Sequence, residues 1–139
     1  MATDTRSTTA GRQTPGMMRV LVAFEEVRSV YSRTMARAIR ELRTGLSVRS
    51  SGLEELEQEL ESFAPHVVVC SRPNGTHPSA RGAWVHIPTE DGLQDEERLA
   101  RICLEGEHWS TDGPPLSELL GVLDETYKRL RAGELSEAC

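Results

Sequence analysis

The sequence predicts an α/β domain built on a mostly parallel sheet, and three observations lead to this class. The segment from Pro65 to Pro73 contains the uninterrupted apolar run 67–70, which is typical of a strand that is covered on both faces. Before it, segments with strand and helix periodicity alternate along the chain. The links between them are short, which favours right-handed parallel crossovers. We therefore expect a sheet of about five strands with the valine-rich segment at its centre.

Composition limits the function classes. A length of 139 residues corresponds to one domain, and the net charge of −6 argues against general affinity for nucleic acid or anionic membranes. No apolar run approaches the roughly 20 residues of a membrane-spanning helix. Cys70, Cys103 and Cys139 lack metal-binding spacing, and the first two lie in apolar runs typical of buried thiols. We expect a cytoplasmic protein without a metal or another cofactor.

The chain divides into a folded domain and two tails. Residues 1–16 are rich in Thr, Ser, Ala and Gly without apolar periodicity, which predicts a disordered segment. The domain is predicted over residues 17–133. Residues 134–139 form the predicted C-terminal tail.

The first half of the domain reads as strand, helix, strand, helix. Residues 19–24 are an apolar strand, and a half-buried edge strand is predicted over 46–50. Between them, one helical stripe ends near Gly45, and its members are Tyr31, Met35, Ala38, Ile39 and Leu42. Ser51 and Glu54 match a capping box, which predicts a second helix beginning there. That helix would bury Leu53, Leu56, Leu60 and Phe63.

The second half is less regular. Turn-forming residues occupy 74–82, where a third helix would normally lie, and a fourth strand is predicted over 83–87. Residues 99–104 fit a fifth strand or the end of a helix begun near Asp95. We prefer an antiparallel hairpin around 90–92, because a parallel crossover needs about a dozen residues or more. A leucine-rich helix closes the domain, with the stripe Leu116, Leu119, Leu120, Leu123, Tyr127 and Leu130.

Most of the segment 18–132 resembles the receiver domain of two-component response regulators. The resemblance rests on the Glu25-Glu26 pair after the first strand, on the segment 65–71 and on the final helix. It implies a flavodoxin-like three-layer sandwich with strand order 2-1-3-4-5. In this chain the third and fourth helices would be short or absent. The last strand is antiparallel in our preferred interpretation. In working receivers the acidic pair holds magnesium and an aspartate ending the third strand accepts phosphate. A Ser or Thr closes the fourth strand, and a lysine follows the fifth.

Two of these groups are missing. Ser71 stands where the phosphoacceptor aspartate belongs, and a serine hydroxyl cannot form an acyl phosphate. No lysine occurs in residues 105–109, and Thr89 comes one residue late for the hydroxyl position. The resemblance therefore implies a non-catalytic regulatory domain that binds another protein and is not competent for aspartyl phosphorylation.

Polar residues at the carboxyl ends of the first and third strands are the candidate ligand site. They could bind a carboxylate or a phosphate, which makes a small α/β enzyme or an anion- or metabolite-binding protein the alternative function. Equally, they could only terminate the strands. The candidates are Glu25, Glu26, Ser71, Arg72, Asn74 and Thr76.

Arg33, Arg37 and Arg40 are the candidate partner-binding surface, on the helix face opposite the apolar stripe. Neighbouring arginines repel one another unless an anion or an acidic protein partner is near. A solvated helix surface is the alternative interpretation, and a homodimer formed through the final helix is a further one.

Overall fold

A computed structural model describes residues 18–72, 82–89, 99–112 and 115–134, and in these ranges six strands form one mixed sheet with three helices. The strand order is β2-β1-β3-β4-β5-β6. The strands are β1 (Arg19–Phe24), β2 (Ser47–Gly52), β3 (Val67–Cys70), β4 (Ala83–His86), β5 (Ala100–Leu104) and β6 (Glu107–Thr111). The helices are α1 (Ser29–Leu42), α2 (Leu56–Ser62) and α3 (Pro115–Arg131), and single 3-10 turns lead into α1 (Glu26–Arg28) and α2 (Leu53–Glu55).

The valine-rich strand β3 lies at the centre of the sheet, as predicted. It pairs in parallel with β1 on one side and with β4 on the other, and all four of its residues are buried. Burying each valine contributes about 1.5–3 kcal/mol. β3 therefore anchors the core on both faces of the sheet.

The last two strands are antiparallel. β5 pairs with β4 in the antiparallel sense, which confirms the preferred direction, although the turn at 90–92 lies outside the described residues. β6 was not predicted. It follows a two-residue turn in which Glu105 (φ 48°) and Gly106 (φ 89°) both have positive φ, the conformation of a tight hairpin. The sheet thus has the predicted order for its first five strands and an additional edge strand.

Alternate residues of the strands face two separate helix layers. One face carries Val20, Val22, Val67 and Val69 toward α1 and α3. The opposite face packs against Leu56, Leu60 and Phe63 of α2 and its C-terminal boundary, as predicted. Because β3 is apolar on both faces, it contributes to both clusters.

Two details of the helices differ from prediction. α1 begins at Ser29 and is rotated, so that Leu42 is 51% exposed and Tyr31 40% exposed, while Ser32 and Ala36 are buried. The second helix is capped one residue later than predicted. Its box uses the Gly52 amide, which donates to the Glu55 carboxylate at 3.0 Å, because β2 extends to Gly52.

Several other predictions fall on residues that are not described. These include the whole N-terminal tail 1–16, the loop residues 74–81 and residues 135–139 of the C-terminal tail. Cys103 is buried, and it takes part in a disulfide bond whose partner lies outside the described residues, which the wide cysteine spacing did not predict. Within the described ranges, no helix is both long and apolar enough to cross a membrane.

Candidate functional site

The carboxyl ends of the parallel strands meet at one edge of the sheet. The chain leaves β1 toward β2 and later returns to β3 on the other side of β1, so the strand order reverses between β1 and β3. Open α/β sheets bind their ligands at such a switch point. Glu25 follows β1, Ser71 follows β3, and Thr89 comes three residues after β4.

Thr89 connects two charged side chains at this edge. Its Oγ1 donates a hydrogen bond of 2.7 Å to Glu25 Oε2. Its carbonyl oxygen accepts a hydrogen bond of 2.8 Å from Arg28 Nη2. We call this arrangement the Glu25–Thr89–Arg28 bridge. It ties the start of α1 to the chain after β4 across the end of β3.

The surroundings of Glu25 favour its ionised form. Partial burial by itself raises the pKa of this carboxyl group. The hydrogen bond from Thr89, a hydrogen bond from the Glu25 backbone, the Ser71 hydroxyl and the charge of Arg28 together outweigh that effect, and the pKa lies below its ordinary value of 4.5. Glu25 Oε1 and Ser71 Oγ are buried, and neither has a hydrogen-bond partner of good geometry among the described residues.

The turn after β3 is held by its backbone. The Arg72 carbonyl oxygen accepts hydrogen bonds from Trp84 Nε1 at 2.8 Å and from Cys70 Sγ at 3.3 Å, while Arg72 itself is exposed. Burial raises the pKa of the Cys70 thiol to about 12, so this cysteine is no nucleophile at neutral pH. Asn74 and Thr76 lie outside the described residues.

A cavity of about 510 Å³ opens beside the bridge, between the ends of β1 and β2. Of the predicted ligand residues, Glu25 and Glu26 line it, whereas Ser71 and Arg72 do not. The lining contains four glutamates and one arginine. The net charge of the cavity is therefore negative, which favours a cationic or neutral ligand over a phosphate. The lining residues are Phe24, Glu25, Glu26, Ser29, Ser32, Arg33, Ser50, Ser51, Gly52, Leu53, Glu54 and Glu55.

Sequence reasoning missed the contribution of β2 to this cavity. Ser50 is predicted to end the edge strand and Ser51 to form a capping box, and their small hydroxyl side chains are the sequence signal for a polar lining. In the described part of the chain, no group of three or more His, Cys, Asp or Glu side chains could hold a metal ion.

The three candidate partner-binding arginines are exposed, but each makes a different kind of contact. Arg37 pairs with Glu41 at 3.1 Å, and Arg40 donates to the Val48 carbonyl oxygen at 3.1 Å. Arg33 lines the cavity. The three arginines therefore do not act as one surface, because one forms an ion pair, one contacts β2 and one lines the cavity.

An apolar patch lies next to the bridge, on the 3-10 turn and the first turn of α1. It consists of Val27, Val30 and Tyr31, which are 86%, 66% and 40% exposed. The Tyr31 ring packs edge-on against Phe24, with centroids 5.2 Å apart. Tyr31 belongs to the predicted core stripe, whereas the two valines are not predicted as a surface feature.

Comparison with known proteins gives no relative for this chain: no family model, no curated protein and no solved structure matches it.

Proposed function

We propose that this protein is a non-catalytic, receiver-like regulatory domain that acts by binding another protein and is not competent for aspartyl phosphorylation. The observation that carries the proposal is the Glu25–Thr89–Arg28 bridge, which occupies the edge of the sheet where a receiver performs its chemistry. The flavodoxin-like assignment is supported by the parallel order β2-β1-β3-β4 and by the helices on both faces.

The charges at this edge support a site that works without a metal ion. A working receiver uses its acidic pair to hold magnesium. Here Arg28 supplies a positive charge beside Glu25 and is fixed by its bond to Thr89. Glu26 is exposed on the 3-10 turn. The negative charge of Glu25 is thus already offset by the protein, and Ser71 offers no carboxylate for phosphate transfer.

The apolar patch supports the protein-binding part of the proposal. Exposed valines do not contribute to the core, and a cluster of large apolar side chains in water is typical of a contact surface. Val27, Val30 and Tyr31 lie within one turn of the bridge, so a partner that covers them would also contact the carboxyl edge.

An NMR titration of the ¹⁵N-labelled protein with Mg²⁺ and beryllofluoride, a mimic of the acyl phosphate, tests the proposal. We expect no specific shift of the amides of Glu25, Ser71 or Thr89. A saturable shift of these three amides would contradict the proposal.

The cavity beside Glu25 favours a second candidate function, the binding of a small cationic or hydroxylated molecule. Serine hydroxyls and glutamate carboxylates dominate its polar lining. A ligand that binds only the folded state at 100 times its Kd would stabilise the protein by about 2.7 kcal/mol. A thermal-shift screen of amines, polyols and matched anions would detect this, and no stabilisation by any amine or polyol would remove this candidate.

A further inference from the structure

Among the described residues, the strand β6 has one edge that pairs with no other strand. In the described part of the chain it pairs only with β5, and four of its five residues are exposed. Its pairing with β5 is continuous from Glu107 to Thr111, without a bulge. The strand contains neither proline nor lysine, the residues that commonly protect an edge strand from pairing with another chain.

The hairpin geometry decides which backbone groups face this edge. Glu107 pairs with Leu104 directly beside the two-residue turn, and such a pair exchanges both of its backbone hydrogen bonds. Because these pairs alternate along an antiparallel ladder, Trp109 also directs its N–H and C=O toward β5. His108 and Ser110 direct theirs toward the open edge.

We propose that two copies of this chain form a dimer by pairing their β6 strands in the antiparallel sense, with the two-fold axis at Trp109. In this register His108 lies opposite Ser110 of the partner subunit, and the two residues exchange both backbone hydrogen bonds. Trp109 lies opposite its own counterpart in a non-hydrogen-bonded pair. The two six-stranded sheets then become one continuous sheet.

The side chains of β6 suit this register. Glu107 lies opposite Thr111 of the partner subunit and His108 opposite Ser110, so no two like charges face each other. Strands approach most closely at non-hydrogen-bonded pairs, with Cα atoms about 4.5 Å apart, and aromatic pairs there contribute strongly. A shift of the axis to His108 would instead place two histidines opposite each other.

The helices leave room for this arrangement. α3 packs against β4 and β5, set back from the open edge. Neighbouring strands are about 4.8 Å apart, so about four spacings, or 19 Å, would separate the two α3 helices. Packed helices lie only about 8–10 Å apart. The space between them holds the two Trp109 rings.

Trp109 is already oriented for this role. It is 36% exposed and its Nε1 donates to Glu118 Oε2 of α3 at 3.2 Å. Beside it lies a groove of about 300 Å³, lined by apolar Leu104 and Val122 among others. The Trp109 ring of the partner subunit would cover this groove.

Sedimentation velocity of the full chain over a range of concentrations, with Ser110→Pro and Ser110→Ala variants, tests the proposal. Proline removes the outward N–H of Ser110 and keeps the bonds to β5, because an edge position tolerates it. Alanine removes only the hydroxyl. We expect a dimer for the wild type and the alanine variant, and a dissociation constant raised at least about tenfold by proline. A monomeric wild type, or a dimer that survives proline, would overturn the proposal.

Cross-linking keeps the test decisive if the proline variant does not fold. Trp109→Cys places two thiols on the axis, within the 4.4–6.8 Å Cα separation that a disulfide needs. His108→Cys is the matched control, since it faces Ser110 of the partner subunit. We expect oxidised dimers beyond the wild-type level only for Trp109→Cys. Equal cross-linking of both variants, or of neither, would overturn the proposed register.

Discussion

The hydroxyl of Thr89 donates a hydrogen bond of 2.7 Å to the carboxylate of Glu25, although the two residues are 64 positions apart in the chain. Since β3 lies between β1 and β4 in the sheet, this bond spans the carboxyl end of the central strand. Ser71 lies beside it with its hydroxyl buried. The edge where this fold class binds ligands is thus partly closed by the protein's own side chains.

Thr89→Val should destabilise the protein by about 1 kcal/mol. The valine keeps the shape of threonine but removes the donor to a carboxylate, and solvent near that carboxylate limits the loss. Chemical denaturation in urea at neutral pH measures the difference. Thr34→Val, at an exposed position of α1, is the matched control and should change stability by less than about 0.5 kcal/mol. Equal effects of the two substitutions would argue against the bridge.

The stability of the wild type relative to Glu25→Gln should depend on pH in one direction. The pKa of Glu25 is lowered in the folded state, so the ionised carboxylate stabilises the protein above the ordinary value of 4.5. This advantage is lost as the pH falls from 4.5 through the lowered pKa. Unfolding curves of both proteins from neutral to acidic pH would reveal it. An advantage that grows on acidification would contradict the assigned direction.

Ile39→Ala and Leu42→Ala should differ strongly, although both residues belong to the same predicted apolar stripe of α1. Ile39 is fully buried, and its truncation should cost about 2–5 kcal/mol. Leu42 is 51% exposed, and its truncation should cost less than about 1 kcal/mol. Denaturation midpoints of the two variants compare them directly. Similar losses would mean that α1 is not rotated as described.

Much of the fold could be predicted from local patterns. The bounds of β1 and the central place of β3 followed from apolar runs, because a strand without polar residues must be covered on both faces. β6 was missed because four of its five residues are exposed and only Trp109 among them is apolar. In the sequence Gly106 was the available signal, since glycine readily adopts the positive φ that a two-residue hairpin turn requires.

The site could be predicted only in part. Glu25 was identified from its place after β1, but its contact with Thr89 joins residues that no local pattern relates. A 3-10 turn (Glu26–Arg28) precedes α1, which begins at Ser29, and Val27 and Val30 are exposed there. Apolar periodicity predicts which residues share one face of a helix. It does not predict how the preceding chain leads into the helix, and so it does not determine which face is buried.

Cys70 should resist alkylation in the folded protein. Burial raises the pKa of its thiol to about 12, so the reactive thiolate is scarce at neutral and mildly alkaline pH. Iodoacetamide labelling followed by peptide mass spectrometry should find this cysteine unmodified in buffer and modified in urea. Rapid labelling in buffer would show that the end of β3 is open to solvent.

The central claim is that the hydrogen bond from Thr89 and the charge of Arg28 help to stabilise the ionised Glu25 carboxylate without a metal ion. The most direct measurement is the NMR titration of the Glu25 side-chain carboxyl carbon with pH, with and without excess Mg²⁺. We expect a pKa below 4.5 that Mg²⁺ leaves unchanged. A pKa at or above 4.5, or one that Mg²⁺ lowers further, would contradict the account.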